Sequence, residues 1–391
     1  LIASPTNTTR HYFIADLATP NAEPTKVYAG NAYPSGVVYN GGTLVGTFLD
    51  ITDPGELRYG VWDEAKGPVT TLNTVTDLNA GPRDAAGLAY EVVAYTTSAG
   101  VSVEGLYVYP KNWTLTPPTA RPMIVWQAGG PGGQMTNTWG TSVESPYSML
   151  PSYGIPVFVV NGSGRTSNGA AFYSAMADDR NYGQRDIRDV KEGVDALIAK
   201  GYVDPKAVGV TGCSYGGYFT LQSIAELPGY YAAANAQCSL NDMMYEFNFG
   251  WSPFLAYLIG NSPTGDPQEF VRDSPTYNMG KVTTPLLLFH GTYDFLFFET
   301  ITNIHDQLTL RGVPARYFRG IGYGHGIGNI QGVPNSGAKG QRAAFQLQLE
   351  WFRQYLPGAA SPSLFRSIQD RLRPMLPPII GRPAPSTGEV R

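Results

Sequence analysis

The sequence predicts an α/β fold in which a mostly parallel sheet is covered by helices on both faces, preceded by a small antiparallel β region. Two observations support this prediction. From residue 86 onward, short apolar runs such as "MIVWQ", "PVFVV" and "PLLLFH" alternate with helical patterns, and strands separated by helices pair in parallel. Before residue 86, apolar runs separated by turn residues occur without helical periodicity, which is typical of antiparallel strands.

The first region, residues 1–85, contains the runs "HYFIADL", "TKVYAG", "GTLVGTFLD" and "LRYGVWDE", with Gly, Pro and Asn between them. We predict a strand at each run. Because a propeller blade takes about 40 to 45 residues, the region has room for about two blades of a β-propeller. Two blades are too few to close a ring.

The second region, residues 86–356, begins with a predicted hairpin, "VVAYTT" and "GLYVYP". It continues with the predicted strands "MIVWQ", "PVFVV", "AVGVTG", "YAAANAQ", "PLLLFH" and "ARYFRG". Helices are predicted at 186–200, where apolar residues recur on one face, and at 300–311 and 339–355. The remaining residues, 357–391, are rich in proline and are predicted to form an irregular extension.

The composition excludes several classes of function. The 391 residues carry a net charge of -4 and only 15% of them are charged, so no basic face is available for nucleic acid. No apolar run reaches the roughly 18 residues that a membrane-spanning helix needs, so we expect no membrane segment. The 4 histidines and 2 cysteines are too scattered to predict a metal site, and no cofactor is predicted.

Three features bear on the cellular compartment. Glycosylation sequons begin at Asn7, Asn112 and Asn161, and they suit a secreted glycoprotein. The sequence starts at Leu1 without a charged and apolar leader, so we expect a mature or processed chain. The two cysteines, Cys213 and Cys238, are too few for a disulfide framework, and two small buried thiols are favoured over a bridge.

The stretch "VGVTGCSYGGYFTL" contains the strongest candidate nucleophile, Ser214. A β-branched strand precedes this serine and a helical pattern follows it, so Ser214 is predicted to lie at a strand-to-helix corner. Gly212 and Gly216 flank it in a G-x-S-x-G pattern, which suits a sharp turn that exposes the hydroxyl. The N-terminus of the following helix adds positive potential where an oxyanion would form.

A nucleophilic serine needs a base, and His325 is the best placed of the histidines. It lies in the glycine-rich loop "GIGYGHGIG", after the last predicted core strand. His290 ends a buried strand and is expected to be structural. His11 falls in the β region and His305 on a predicted exposed helix, so neither is a good candidate.

Asp294, on the loop after the "PLLLFH" strand, is the predicted acid that orients the imidazole. The chain order Ser214, Asp294, His325 is that of an α/β-hydrolase. The oxyanion requires two donors, which we predict to be the backbone N–H of Tyr215, directly after the nucleophile, and that of Gly130 in the loop "QAGGPGGQM".

The segments "AGGPGGQ", "NGSGRTSNGAAF", "GYVDPKAVGVTG", "GCSYGGY", "TPLLLFHGTYD" and "GYGHG" follow one another at suitable spacing. Together they resemble the catalytic domain of the prolyl oligopeptidase family of serine peptidases, especially its acylaminoacyl-peptidase and dipeptidyl-peptidase V branch. The resemblance covers about residues 88–356. It implies an α/β-hydrolase fold and the triad and oxyanion donors assigned above.

The sequence departs from the family pattern in three places. Ala128 stands where the family usually has a histidine, and the family's loop arginine is displaced to Arg165, which we assign to substrate binding. The family also carries a complete N-terminal propeller, whereas residues 1–85 have room for only its last part. We expect either a second chain that carries the remaining blades or loss of the propeller, and a homo-oligomer is a further alternative.

An aromatic segment, "NDMMYEFNFGWSPFLAYLIG", follows the strand that ends near Cys238. We assign Tyr245, Phe247 and Trp251 to a substrate pocket, in which an apolar side chain or acyl group would fit. The alternative, that these aromatic residues only cover the sheet, is equally well supported by the sequence.

The leading functional hypothesis is a serine peptidase that cleaves short peptides through an acyl-enzyme on Ser214. A carboxylesterase or other acyl-transfer enzyme with an ester substrate is the alternative, because the triad alone does not select amides over esters. A non-catalytic binding or scaffold protein of the same fold is the third hypothesis, and an intact triad argues against it.

Overall fold

The N-terminal region folds into two small antiparallel sheets. The computed structural model, in which residues 1–19, 21–116, 120–177 and 182–359 are described, has strands at the four runs predicted from the sequence. The first sheet contains β1 (Ile2–Thr6), β2 (Thr9–Ile14) and β3 (Thr25–Tyr28). The second contains β4 (Tyr33–Asn40), β5 (Thr43–Asp50), β6 (Asp53–Val61) and β7 (Asn73–Thr74). The predicted antiparallel β region is therefore confirmed.

A larger mixed sheet forms the centre of the molecule. Its strands are β8 (Leu88–Thr96), β9 (Ser102–Pro110), β10 (Arg121–Gln127), β11 (Val157–Val160), β12 (Val203–Cys213), β13 (Ala233–Gln237), β14 (Leu286–Gly291) and β15 (Ala315–Gly320). They lie in the order β15-β14-β13-β12-β10-β11-β9-β8. Strand β9 pairs antiparallel with β8 and β11, and the pairs from β11 to β15 are parallel. The mostly parallel sheet is confirmed.

The helices alternate with these strands along the chain. They are α1 (Ala80–Ala86), α2 (Ala170–Ser174), α3 (Arg185–Ala199), α4 (Tyr215–Glu226), α5 (Met243–Glu246), α6 (Ser252–Ile259), α7 (Pro267–Arg272), α8 (Pro275–Asn278), α9 (Phe298–Leu310) and α10 (Ser336–Tyr355). The three helices predicted from periodicity correspond to α3, α9 and α10. Within the described ranges, no helix is long and apolar enough to cross a membrane. The predicted proline-rich extension lies, beyond residue 359, outside the described residues.

Helices cover both faces of the central sheet, because successive strand residues point to opposite faces. Met123 and Val125 of β10 belong to the buried cluster that includes residues of α3, α4 and α9. Ile124, between them, faces the other side, where the Phe352 ring of α10 packs over Gly209. A Cβ on Gly209 would lie only 3.1 Å from that ring and 3.3 Å from Ile124. Glycine at this position therefore lets α10 approach the sheet closely.

The β region is bound directly to the segment that follows β10. The side-chain amide of Gln134 donates to the carbonyl oxygens of Asn7 and Thr9, at 2.7 and 3.0 Å. Asn137, three residues later, accepts a hydrogen bond from the backbone N–H of Ile51 at 2.9 Å. Because of such contacts, Leu1–Ala359 forms one compact unit.

Candidate active site

Ser214 lies between the end of β12 and the start of α4, at the predicted corner. Its backbone angles, φ 62° and ψ -122°, are strained for a residue other than glycine. The turn is also tightly packed, because a Cβ on Gly212 or Gly216 would collide with the carbonyl oxygen of Gln127. Glycine is therefore required on both sides, and the turn places Ser214 at the carboxyl edge of the parallel strands.

His325 and Asp294 form a direct hydrogen-bonded pair. Nδ1 of His325 lies 2.9 and 3.1 Å from the two carboxylate oxygens of Asp294. The Asp294 side chain is fully buried, whereas that of His325 is 25% exposed. The backbone N–H of Leu296 also donates to Asp294, at 3.0 Å. A carboxylate at Nδ1 fixes the proton there and leaves the lone pair of Nε2 free to accept a proton.

The His325 ring lies close to the end of the strand that carries Ser214. A ring nitrogen and the sulfur atoms of Cys213 and Cys238 all lie within 4.8 Å of one another. In the described structure, His325 hydrogen-bonds to Asp294 and not to Ser214. A loose spacing between nucleophile and base is common in unliganded enzymes, and it tightens when substrate binds.

His290 supports the acid from within the sheet, in the structural role expected for it. It is 3% exposed, and its Nε2 lies 3.0 Å from the Leu296 carbonyl oxygen and 3.3 Å from the Asp294 carboxylate. Burial lowers the pKa of His290, so the ring is neutral at neutral pH. Asp294 is therefore in contact with two histidines, of which only His325 reaches solvent.

Arg165 lies beneath the predicted oxyanion loop and not in a substrate pocket. Its side chain is 0% exposed, and one terminal nitrogen lies between 2.8 and 3.3 Å from four loop carbonyl oxygens. These belong to Ala128, Gly129, Pro131 and Gly133. The other terminal nitrogen donates to Gln127 Oε1 at 3.0 Å. The assignment of Arg165 to substrate binding is therefore wrong, because these contacts occupy the guanidinium inside the protein.

The same contacts orient the amides of the loop. The C=O and N–H of a trans peptide unit point in opposite directions. Because the carbonyl of Gly129 points at Arg165, the N–H of Gly130 points away from it. Gly129 also lies beside the nucleophile, since a Cβ there would be 3.8 Å from Ser214 Oγ. The N–H of Gly130 and that of Tyr215, the first amide of α4, thus stay the candidate oxyanion donors.

A second buried contact connects Arg165 to the start of α4. The guanidinium lies 5.2 Å from the centroid of the Tyr215 ring, and the Tyr215 hydroxyl donates to Asp186 at 2.6 Å. Burial raises the pKa of Asp186 to about 6, against the opposing effects of the Tyr215 hydrogen bond and the Arg165 charge. Sequence reasoning missed Asp186, because nothing in the pattern of α3 distinguishes it from an exposed acid.

The loop that carries His325 is held by two further residues that the sequence did not reveal. The backbone N–H of Ile327 donates to Glu144 Oε1 at 2.6 Å. Gln341 of α10 donates to Glu144 at 2.8 Å and to the carbonyl oxygen of Ile327 at 3.0 Å. Glu144 and Gln341 are separated by 197 residues, so no local pattern could have paired them.

The aromatic segment after β13 reaches the candidate triad at one point. The Trp251 ring lies 5.8 Å from that of Phe295, which in turn lies 4.3 Å from the His325 ring. Tyr245 stacks on Phe249 with 4.4 Å between ring centroids. Tyr245 and Trp251 thus stay predicted components of an apolar substrate wall, with Phe295 added to it.

Phe247 and Glu246, from the same segment, pack toward the interior. Phe247 packs edge-on against the buried ring of Phe270, at 5.4 Å, which favours its structural interpretation. Glu246 is 0% exposed, and among the described residues neither of its carboxylate oxygens has a hydrogen-bond partner. Burial, together with the nearby charges of Asp242 and Asp294, raises the pKa of Glu246 to about 7.

Cys213 and Cys238 form a disulfide bond, which corrects the expectation of two free thiols. The two residues lie at the ends of the neighbouring parallel strands β12 and β13, with their Cα atoms 5.3 Å apart. Cys213 directly precedes Ser214. Two cysteines 25 residues apart carry no pairing signal in the sequence, and only the register of β12 against β13 brings them together.

The strand order and the turn at Ser214 define the fold as that of an α/β-hydrolase. A sequence model described as "Prolyl oligopeptidase family" matches residues 141–358, which is more than half of the chain. The chain therefore belongs to the prolyl oligopeptidase family.

Curated relatives match part of the chain. It is 29% identical over 207 residues to the uncharacterized peptidase YuxL of Bacillus subtilis, covering 52% of this chain and 30% of the relative. It is 26% identical over 249 residues to the acylamino-acid-releasing enzyme of Rattus norvegicus, covering 61% and 33%. The aligned part thus amounts to about a third of each relative's length.

Solved structures show the same fold. The acylaminoacyl peptidase of Pyrococcus horikoshii superimposes with a TM-score of 0.73 at 19% identity, covering 90% of this chain and 53% of that one. An acylaminoacyl peptidase in complex with Z-Gly-Gly-Phe-chloromethyl ketone gives 0.74 at 18% identity, covering 94% and 56%. Nearly the whole chain therefore corresponds to about half of each of these proteins.

We expect the Arg165→Lys substitution to slow acylation of Ser214. Lysine keeps the charge but lacks the planar fork that reaches several carbonyls at once, so the loop amides lose their orientation. Since removal of one oxyanion donor costs about 10²–10³-fold in kcat, we expect the rate of fluorophosphonate labelling to fall about 10²-fold. For any substrate that the protein turns over, we expect kcat to fall by a larger factor than KM rises.

The matched control is Arg342→Lys, at an exposed position of α10. Circular dichroism should be the same for both variants and the parent protein. Equal labelling rates for Arg165→Lys and the control would contradict the role of Arg165 in positioning the loop.

The Glu246→Gln substitution should remove a pH-dependent loss of stability. The native carboxyl keeps its proton up to about pH 7, whereas the unfolded chain loses it near 4.5. The unfolded state therefore binds fewer protons over this interval, and the free energy of unfolding of the parent protein falls as the pH rises. The full effect is on the order of 3 kcal/mol.

Denaturant unfolding of both proteins at about pH 5 and pH 8 measures this difference. Relative to the variant, the parent protein should be less stable at the higher pH. Glu350→Gln, at an exposed position of α10, is the control and should show no such trend. A difference between parent and Glu246→Gln that does not change with pH would disprove the prediction.

Proposed function

We propose that the chain is a serine hydrolase that cleaves amide bonds of short peptides through an acyl-enzyme on Ser214. The observation that carries this proposal is the His325–Asp294 pair, with 2.9 Å between Nδ1 and a carboxylate oxygen, at the strand edge that bears the Ser214 turn. Relatives named acylamino-acid-releasing enzyme and dipeptidyl-peptidase 5 support a peptide substrate.

Each group has one role in the proposed reaction. Ser214 Oγ attacks the scissile carbonyl carbon, and Nε2 of His325 accepts the hydroxyl proton while Asp294 stabilises the imidazolium. The N–H groups of Gly130 and Tyr215 donate to the oxyanion. His325 then gives its proton to the leaving amine, and later activates the water that hydrolyses the acyl-enzyme.

The aromatic wall next to the base supports an apolar residue on the acyl side of the scissile bond. The rings of Phe295 and Trp251 follow one another outward from His325, and Phe295 is 55% exposed. An open apolar wall would also accept the acyl chain of an ester, so a carboxylesterase or other acyl-transfer enzyme is the second candidate function.

Fluorophosphonate labelling of the parent protein and of Ser214→Ala tests the proposal. We expect one label per chain in the parent and none in the variant, with turnover of aminoacyl or dipeptidyl amides falling by about 10⁴-fold or more. Ser98→Ala, at an exposed position, is the control. Absence of labelling would refute both enzymatic functions. Turnover of p-nitrophenyl esters without any amide turnover would refute the peptidase and support the esterase.

We further propose that the second small sheet packs against another sheet of the same kind, on a longer or second chain or in a homo-oligomer. Its outer face exposes a row of Val38, Val45 and Tyr59 that are paired across β4, β5 and β6, at 67%, 37% and 37%, and Val61, two residues beyond Tyr59, is 63% exposed. Apolar side chains aligned across strands are normally covered.

Secretion and glycosylation stay part of the proposal, with Asn112 as the site. Asn112 is exposed, and the disulfide suits an oxidising compartment. Asn161 is 0% exposed and its amide donates to two carbonyl oxygens, while the Asn7 amide donates to Glu104 at 3.0 Å. A glycan at either of those positions would replace internal hydrogen bonds.

Intact mass analysis of the protein isolated from the culture medium of its source tests both proposals. We expect a species larger than the 391-residue chain, or a co-purifying second chain or copy. Treatment with an N-glycosidase should remove one glycan and convert Asn112 to aspartate. A monomeric, unglycosylated chain of the expected mass would contradict both proposals.

A further inference from the structure

A group of potential metal ligands lies at the candidate active site in a form that cannot bind metal. The ligand atoms of Cys213, Cys238 and His325 all lie within 4.8 Å of one another. The two sulfur atoms are joined in the disulfide, so neither is a thiolate. The sequence showed no ligand spacing, because the three residues meet only where the ends of β12 and β13 face the His325 loop.

We propose that reduction of the Cys213–Cys238 disulfide creates an inhibitory site for a thiophilic divalent cation such as Zn²⁺, with both cysteines and His325 as ligands. The inhibition rests on the proposed function, in which His325 is the base. Metal binding itself does not depend on the proposed function, since it requires only the two thiolates and the free imidazole nitrogen.

Reduction by a dithiol supplies the two thiols. Thiolate attack on the disulfide forms a mixed disulfide, whose second thiol then displaces the remaining cysteine. The S–S bond receives two electrons and two protons, and the dithiol leaves as its own disulfide. Metal binding then releases the two cysteine protons, because the ligands are thiolates. The reductant approaches from the carboxyl edge of the parallel strands, where Cys213 is partly exposed and the His325 side chain is 25% exposed.

The backbone keeps the two sulfur atoms within reach of one ion. The Cα atoms of Cys213 and Cys238 are 5.3 Å apart and belong to adjacent strand ends, so they stay close when the S–S bond is broken. Zinc binds sulfur at about 2.3 Å and imidazole nitrogen at about 2.0–2.1 Å. The three ligand atoms already lie within 4.8 Å of one another, so the proposed site requires rotation of the cysteine side chains and no change of the strand register.

The third ligand is already oriented for a metal. Asp294 holds Nδ1 of His325 at 2.9 Å, which leaves Nε2 as the coordinating nitrogen. A carboxylate that binds the other nitrogen of a metal-ligating histidine is a common arrangement, because it fixes the ring and increases its basicity. Three protein ligands leave a fourth position for water. Coordination of Nε2 would prevent His325 from accepting the Ser214 proton.

Cobalt(II) is the probe for the experiment, because thiolate ligands give it a charge-transfer band in the near ultraviolet. The full chain is reduced with a water-soluble phosphine, which becomes the phosphine oxide, and is then desalted without oxygen and titrated. The variants are Cys238→Ser and His325→Gln, and His305→Gln on α9 is the matched control. Zinc inhibition of fluorophosphonate labelling is measured in parallel, before and after addition of a chelator.

We expect the band at one cobalt per reduced chain and no band in the oxidised protein. Both ligand variants should bind at least about tenfold more weakly, and the control should bind like the parent. Absence of the band after reduction, equal affinity in the ligand variants, or loss of the folded circular dichroism spectrum on reduction would overturn the proposal. A band without any hydrolase activity would support the metal site and refute only the proposed function.

Discussion

The arrangement of the candidate site depends on one buried cation, the guanidinium of Arg165. A charge inside a protein is tolerated when it is hydrogen-bonded, and here the two terminal nitrogens donate to four loop carbonyls between residues 128 and 133 and to the side-chain Oε1 of Gln127. Since the Gly129 carbonyl turns toward Arg165, the N–H of Gly130 turns away from it, and Gly129 lies beside Ser214. The Tyr215 ring over the same guanidinium, and Asp186 behind it, extend the constraint to the start of α4. Loop, nucleophile and helix are therefore positioned together.

The β region stabilises the same loop from the other side. Gln134 and Asn161, which lie after β10 and β11, both donate to the carbonyl oxygen of Asn7, at 2.7 and 3.0 Å. Asn161 also accepts a hydrogen bond from the backbone N–H of Met135, so the chain just after the candidate oxyanion loop is fixed to the turn between β1 and β2. The β region is therefore part of the support of the candidate site, in addition to the sheet packing that we propose for it.

Local sequence pattern and chain order were sufficient to predict the strands, the main helices and the strand-to-helix corner at Ser214. These features depend on apolar periodicity and on glycine at fixed positions around the serine. The His325–Asp294 contact was also predictable, since the carboxyl ends of parallel strands meet at one edge. The buried position of Arg165 was not predictable, because burial of this side chain depends on which loop folds over it. The Cys213–Cys238 bond and the Glu144–Gln341 contact likewise depend on strand register and on segments far apart in the chain.

The Cys213–Cys238 disulfide lies next to the His325 ring, and the state of this bond decides whether the free nitrogen of the ring has metal-binding thiolates beside it. In the proposed reaction His325 acts as the general base and needs a free lone pair on Nε2, which Asp294 provides by holding the proton on Nδ1. The same lone pair makes His325 a good ligand, and two thiolates beside it would attract thiophilic metal ions. Joining the sulfur atoms removes both thiolates without displacing the strand ends. In the proposed reaction and metal site, cysteines at this edge are therefore compatible with His325 as base where the bond stays oxidised, whereas in a reducing compartment His325 would become a ligand.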